Sequence, residues 1–215
     1  MTAQPTRSRL WAEFVALYGV CPLLIAVFLP PRLMFPALFG FTALGLLLLS
    51  RTDGFRWQAL VQGPRIPWGR VVGFTLVTAL ASAAVIFLTQ PDAAFGLVRH
   101  NPALLLVIFA LYPILSALPQ ELIFRALFFG RYGALLPTGP AALALNAAIF
   151  AFAHLMYWSW VVTVMTFAGG LVFAAAYVKG RSFPLALILH SLAGCVIFAF
   201  GLGVYFYSGN VVRPF

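Results

Sequence analysis

Seven long apolar stretches dominate this chain and leave little sequence over for a soluble domain. A helix that crosses the hydrocarbon core of a bilayer requires roughly 20 predominantly apolar residues. The stretches cover residues 14–29, 33–49, 71–88, 102–129, 141–156, 160–178 and 183–202. Since 63% of all residues are hydrophobic and only 8% are charged, with a mean hydropathy of +1.03, we predict one integral membrane domain over residues 1–215. Its fold class is an all-α polytopic bundle of about seven helices, within a range of six to eight.

The net charge of +9 would suggest nucleic acid as a partner of a soluble protein. Here the arginines are scattered over short loops, so we predict a lipid bilayer and no nucleic acid. Numbering the spans in order puts nine basic residues on one side: Arg7, Arg9, Arg51, Arg56, Arg65, Arg70, Arg131, Lys179 and Arg181. The other side carries only Arg32, Arg99 and Arg213. Because basic residues accumulate in cytoplasmic loops, this predicts a cytoplasmic N-terminus.

Glu121 is the only acidic residue inside a long apolar stretch of this chain, and ionisable groups at such depth are functional hypotheses by default. Arg125 follows four residues later and therefore shares a helix face with Glu121. The pair has two readings: simple neutralisation of two buried charges, or part of a catalytic site. Gln120 is rotated by about 100° from Glu121 on a helix, so its amide meets a different neighbour.

His154 and His190 lie in two later spans. Phe150 precedes His154 by four residues, so we expect its ring to shield the imidazole. His190 needs a polar partner from another helix. Singly, each histidine is explained by structural hydrogen bonding, but polar groups on different helices converge in a membrane bundle because they must find partners away from lipid. One glutamate and two histidines around a wet cavity favour a hydrolytic site.

No HExxH motif or inverted form occurs, and the two histidines lie on separate spans. This pattern predicts neither a metal site nor another cofactor.

Three motifs in order resemble those of the CPBP intramembrane proteases, also called the CAAX protease and bacteriocin-processing or Abi family. The Glu-Glu-x-x-x-Arg motif is similar to residues 120–125, Phe-x-x-x-His to residues 150–154, and His-x-x-x-Asn/Asp to residues 190–194. The resemblance covers residues 111–200. It therefore predicts that the last four spans form the active-site core.

The resemblance implies a glutamate-type endopeptidase that cleaves a membrane-associated peptide or protein without a covalent intermediate. A glutamate and the second-motif histidine activate water, and the third-motif histidine and asparagine stabilise the oxyanion. On this chain the roles fall to Glu121 with His154, and to His190. Arg125 would hold Glu121, so Arg125→Ala is expected to impair both folding and activity. The family's distribution and the short loops favour a bacterial inner membrane.

Two positions depart from the family motifs. Gln120 replaces the first glutamate, and an amide is not a general base. Glu121 takes over by a small helix rotation, or His154 alone activates the water, or hydrolysis is lost. Gly194 replaces the asparagine, and loss of one oxyanion donor typically costs on the order of 100- to 1000-fold in turnover. Ser191 and Asn146 are candidates for that donor.

Three hypotheses of function remain open from the sequence. The first is an endopeptidase acting near the cytoplasmic half of the bilayer. The second is a catalytically weakened or inactive member that binds hydrophobic peptides, as in bacteriocin immunity. The third is a transporter or proton pathway, which the lack of internal symmetry disfavours. Neither the substrate nor the oligomeric state follows from the sequence.

Overall fold

The computed structural model describes residues 5–215, so residues 1–4 of the predicted domain lie outside the described part of the chain. Throughout this part the chain forms helices and the turns between them, and no strand. Seven helices of the described residues are long and apolar enough to cross a membrane: α1 (Arg7–Phe28), α2 (Pro31–Ser50), α3 (Trp68–Thr89), α4 (Pro102–Leu135), α5 (Gly139–Tyr157), α6 (Trp160–Val178) and α7 (Phe183–Phe200). This confirms the predicted all-α, multi-pass membrane bundle.

Large apolar side chains cover the outside of the bundle. Leu80, Leu106 and Trp160 are 72%, 66% and 69% exposed, as expected for helices that face lipid. In the most apolar stretches of α6 and α7, 39% and 44% of the residues are buried, against 17–22% in α1 to α4. Helices α6 and α7 therefore lie at the centre of the bundle, and the motif histidine of α7 lies among side chains rather than lipid.

The connections divide the bundle into two ends. Residues 51–67, 136–138 and 179–182 connect helices at one end, which we call the basic end because most of the basic residues lie there. Residues 90–101 and 158–159 and the C-terminal segment 201–215 lie at the opposite, far end. The first of these loops contains the short 3₁₀ turn Trp57–Leu60.

Arg131 closes the basic end of the bundle. Its Nη2 lies 2.8 Å from Oε2 of Glu13 in α1, and its Nη1 donates to the Thr52 hydroxyl at 3.2 Å. The Glu13 side chain is 18% exposed and that of Arg131 is 4% exposed. These contacts tie α1, α2 and α4 together where the chain meets the headgroup region.

Helix α4 contains two widened, π-helical turns, Pro113–Ala117 and Leu122–Leu127. Widened turns free backbone carbonyls from the regular α-helical pattern and are frequent at functional sites. In the second turn, the Tyr18 hydroxyl donates to the Ile123 carbonyl at 2.7 Å. The Asn146 amide donates to the Phe124 carbonyl at 2.7 Å. The widened turn thus connects α4 to both α1 and α5, directly after Glu121.

Helices α5 and α6 approach each other closely at Gly170. A Cβ atom at this position would lie 3.1 Å from the Cα of Ala147, so any larger residue would press α5 and α6 apart. The Ser159 and Ser182 side chains cap the first turns of α6 and α7 by accepting from the backbone of Val162 and Leu185. The packing of α6 against α5 therefore explains why position 170 is a glycine.

Candidate active site

Glu121 is completely buried between a guanidinium group and an imidazole ring. Its Oε2 lies 3.3 Å from Nε of Arg125, and its Oε1 lies 2.8 Å from Nδ1 of His190. A carboxylate only accepts hydrogen bonds, so Nδ1 of His190 carries the proton and donates it. Nε2 remains as the second nitrogen of that ring. The predicted pairing of Glu121 with Arg125 is confirmed, and His190 has the polar partner from another helix that we expected.

Aromatic rings surround the Arg125 guanidinium, which is also completely buried. Its Cζ lies 4.9 Å from the ring centre of Phe150 and 5.7 Å from that of Phe173. The Phe173 ring also stacks on the His190 imidazole. The two ring centres are 4.7 Å apart, and the angle between the ring planes is 9°. Cation–π contacts of this kind stabilise a buried cation. Phe173 therefore lies between the two positions of this cluster that can carry positive charge.

His154 lies where α5 passes into a 3₁₀ turn near the far end. Its Nδ1 is 2.7 Å from the Phe150 carbonyl oxygen. Because a carbonyl only accepts, Nδ1 carries the proton and Nε2 keeps its lone pair. The Phe150 ring lies 4.6 Å from the imidazole, which confirms the expected shielding.

Two cavities meet at His154. The larger has a volume of about 320 Å³ and reaches His190 and Gly194, and the smaller has a volume of about 120 Å³ and lies against α1 and α2. The residues that line both are Phe35, Ser116, Gln120, His154, Tyr157 and Ser208. We call the place where the cavities meet the waist. The smaller cavity lies toward the far end of the bundle, where α1 and α5 end. The larger cavity extends from residues 206–208 at the far end to Phe74 and Phe173 in the basic half of α3 and α6.

The structure gives Glu121 a different partner from the one predicted. The carboxylate contacts His190 rather than His154, and Glu121 lines neither cavity. Gln120 faces the waist instead. The cause is the rotation of about 100° between consecutive helical residues, which turns Glu121 toward the buried Arg125.

Of the two polar amide atoms of Gln120, one forms a hydrogen bond and the other does not. Its Nε2 donates to the Ser116 hydroxyl at 3.0 Å. Its buried Oε1 has no hydrogen-bond partner among the described residues. A buried carbonyl oxygen without a donor is costly, so Gln120 Oε1 is suited to accept from a water molecule or a substrate N–H at the waist.

Neither predicted substitute for the missing third-motif donor lines a cavity. The Asn146 amide is committed to the Phe124 carbonyl, and the Ser191 hydroxyl is buried without a partner in the described chain. Gly194 itself does line the larger cavity. The side chain next to it is Tyr112, which the sequence reasoning missed. The only sequence signal was the four-residue spacing of Tyr112, Ser116 and Gln120 along one face of α4.

No group of three or more His, Cys, Asp or Glu side chains that could hold a metal ion occurs between residues 5 and 215. The polar atoms that face the cavities come from imidazole, amide and hydroxyl groups. This arrangement can move a proton and stabilise a developing negative charge.

Residues 102–207 match the model of a protein family described as type II CAAX prenyl endopeptidase Rce1-like. The matched segment contains all three motifs and encloses residues 111–200. No curated protein and no solved structure matches the chain.

Proposed function

Since this chain belongs through residues 102–207 to the family of Rce1-like type II CAAX prenyl endopeptidases, we propose that it is an intramembrane endopeptidase. It hydrolyses a peptide bond of a membrane-associated peptide or protein by an activated water, without a covalent intermediate. The observation that supports this most directly is the waist, where an imidazole with a free lone pair and an unsatisfied amide oxygen face the junction of two cavities.

His154 is the general base of the proposed reaction. Its Nε2 accepts a proton from a water molecule that also donates to Gln120 Oε1, and the resulting hydroxide attacks the scissile carbonyl carbon. Of the three routes left open by Gln120, activation by His154 alone agrees best with a Glu121 that lines neither cavity. A positioned base of this kind contributes typically 10²- to 10⁴-fold to the rate.

His190 binds the oxyanion through Nε2–H, in its doubly protonated form. Glu121 is the positioning residue that accepts from Nδ1 and holds the ring in place. With Arg125⁺, Glu121⁻ and His190⁺ the cluster carries one net positive charge, which the negative charge of the tetrahedral intermediate neutralises. When the intermediate collapses, the carbon–nitrogen bond breaks and the proton on His154 passes to the leaving amine, so the base is regenerated.

The two cavities suit an endopeptidase, because a chain that passes the waist has space for side chains on both sides of the scissile bond. The volume of the larger, about 320 Å³, falls within the range usual for ligand pockets. Its apolar lining is equally suited to the alternative function, a member that only binds hydrophobic peptides. Gln120 and Gly194 favour that alternative.

The basic end faces the cytoplasm of a bacterial cell in our proposal, with the chain in the inner membrane and its N-terminus on the cytoplasmic side. The nine basic residues of that side support it. The smaller cavity then lies toward the outer face, whereas the larger cavity extends to Phe74 and Phe173 in the cytoplasmic half of their helices. The expected active site near the cytoplasmic half stays a prediction.

The orientation is tested by cysteine labelling in intact cells, in a protein whose two native cysteines are replaced. Gln62 lies exposed at the basic end and Gln90 lies exposed at the far end. A membrane-impermeant maleimide is expected to label Gln90→Cys, and to label Gln62→Cys only after lysis. The reverse pattern overturns the proposed orientation.

The activity is tested with a library of fluorogenic membrane-proximal peptides and the purified protein in lipid vesicles. His154→Ala and His190→Ala are each expected to reduce kcat on the order of 100-fold or more. Glu121→Gln is expected to lower kcat while KM stays within about threefold, because the residue acts through His190. His100→Ala is the matched control, since His100 is exposed and lines neither cavity.

The same assay separates the two functions. No cleavage by the native protein, with cleavage appearing in Gln120→Glu, supports the binding function and rejects the endopeptidase. Equal cleavage by the native protein and His154→Ala, at equal folded abundance, rejects the assignment of the base.

A further inference from the structure

We propose that the Tyr112 hydroxyl is the second oxyanion donor, in the place that the third motif leaves without a side chain at Gly194. This inference rests on the proposed endopeptidase function and adds a catalytic residue to it. Tyr112 belongs to none of the three motifs and lies on α4, two helical turns before Gln120.

Tyr112 occupies the volume into which a side chain at position 194 would extend. A Cβ atom at Gly194 would collide with ring carbons of Tyr112 and would lie 2.6 Å from its hydroxyl oxygen. That last distance is comparable to the one between the Cβ of an asparagine and its own amide atoms. The tyrosine hydroxyl therefore lies about as far from this Cβ position as the amide of an asparagine at position 194 would lie.

An asparagine at position 194 and the Tyr112 ring exclude each other from the same space. An asparagine at position 194 would occupy the space of the ring, and with the ring in its present place only a glycine fits at position 194. Gly194 lies in the middle of α7 at a backbone conformation that every residue adopts, so its conformational freedom gives no reason for a glycine. The neighbouring ring does.

Tyr112 and His190 lie on the same cavity. Both residues line the larger cavity together with Gln120 and His154. The Tyr112 ring centre lies 6.1 Å from that of His190, with the planes inclined by 68°. A phenolic hydroxyl donates a hydrogen bond, and tyrosine hydroxyls serve as donors in oxyanion holes. The oxyanion donors are thus Tyr112 on α4 and His190 on α7. In the family's third motif, a histidine and an asparagine on one helix supply both donors.

Packing beside Gly194 requires an aromatic ring but no hydroxyl group. A phenylalanine would fill the space beside Gly194 equally well, and the chain is rich in phenylalanine. The hydroxyl is thus the feature to test. Its removal leaves the ring and the fold in place.

The experiment compares the native protein with Tyr112→Phe and with Tyr205→Phe in the vesicle assay. Tyr205 packs beside Leu202, outside both cavities, and is the matched control. Tyr112→Phe is expected to reduce kcat on the order of 100- to 1000-fold with little change in KM, and Tyr205→Phe to leave kcat unchanged. The affinity for a peptide aldehyde, whose hydrate imitates the tetrahedral intermediate, is expected to fall in Tyr112→Phe as well.

A second pair of variants exchanges the two donors. Tyr112→Ala removes ring and hydroxyl, and Tyr112→Ala with Gly194→Asn puts an asparagine into the vacated space. The double variant is expected to cleave at least about 10-fold faster than Tyr112→Ala, since one donor restores part of a 100- to 1000-fold effect.

The outcomes distinguish this inference from the function on which it rests. If the native protein cleaves and Tyr112→Phe retains its kcat, the role of Tyr112 is overturned and the endopeptidase stands. If the native protein cleaves no peptide of the library, the endopeptidase and the role of Tyr112 are overturned together.

Discussion

Replacing Arg125 by methionine tests whether the buried ion pair holds the centre of the bundle together. Both side chains of the pair are 0% exposed, with Nε of Arg125 and Oε2 of Glu121 3.3 Å apart. Methionine preserves much of the packing volume and removes the charge. Loss of one partner of a buried pair costs about 3–5 kcal/mol, because the other charge stays buried and unpaired. The contacts with Phe150 and Phe173 contribute about 0.5–2 kcal/mol each within that sum.

The double variant Glu121→Gln with Arg125→Met isolates the electrostatic part of this loss of stability. Replacing both members of a buried pair with neutral groups of similar volume is often nearly neutral, and a glutamine can still accept from His190. We expect the double variant to lose less than about 2 kcal/mol, so that the two substitutions are coupled by more than 1 kcal/mol. Arg125→Ala is expected to lose both stability and activity.

The free energy of unfolding is measured by titrating mixed micelles with a denaturing detergent and following the helical circular dichroism. The matched control is Arg99→Met, since Arg99 is exposed and binds backbone carbonyls in the loop before α4. An Arg125→Met protein as stable as the native one contradicts the reasoning. A double variant no more stable than the single one contradicts the electrostatic explanation.

Three further substitutions test other contacts of the bundle by the same measurement. Tyr18→Phe removes a buried hydrogen bond to α4 and is expected to cost about 1 kcal/mol; an unchanged stability would mean that the bond contributes nothing. Glu13→Gln leaves the nearly buried Arg131 without its carboxylate and is expected to cost about 1–3 kcal/mol, whereas a gain in stability would contradict its role at the basic end. Gly170→Val forces α5 and α6 apart and is expected to cost about 1–3 kcal/mol; a neutral effect would show that the helices separate freely.

The number of helices and the pair in α4 were predictable because each depends on local sequence. A bilayer demands long apolar helices, so hydropathy alone predicts the spans. The spacing of four residues brings Arg125 to Glu121 on any helix. Both predictions are confirmed, as is the expected contact of Phe150 with His154.

The partner of Glu121 and the place of Tyr112 were not predictable in this way. Each depends on how far α4 is rotated relative to α5 and α7, and a sequence with seven apolar helices leaves that rotation open. The space that a glycine leaves is visible only when the neighbouring helix is known. Gly194 was interpreted as a missing donor, whereas the structure has an aromatic ring in that space.

The widened turn Leu122–Leu127 fits one more residue into a single turn than a regular α-helix holds. The extra residue is taken up locally, so the parts of α4 before and after the turn keep their angular alignment. If the same sequence formed a regular α-helix, the segment with Gln120 and Glu121 would be rotated by about 100° relative to the part of α4 that follows. The widened turn therefore determines which side chain of that segment faces the waist.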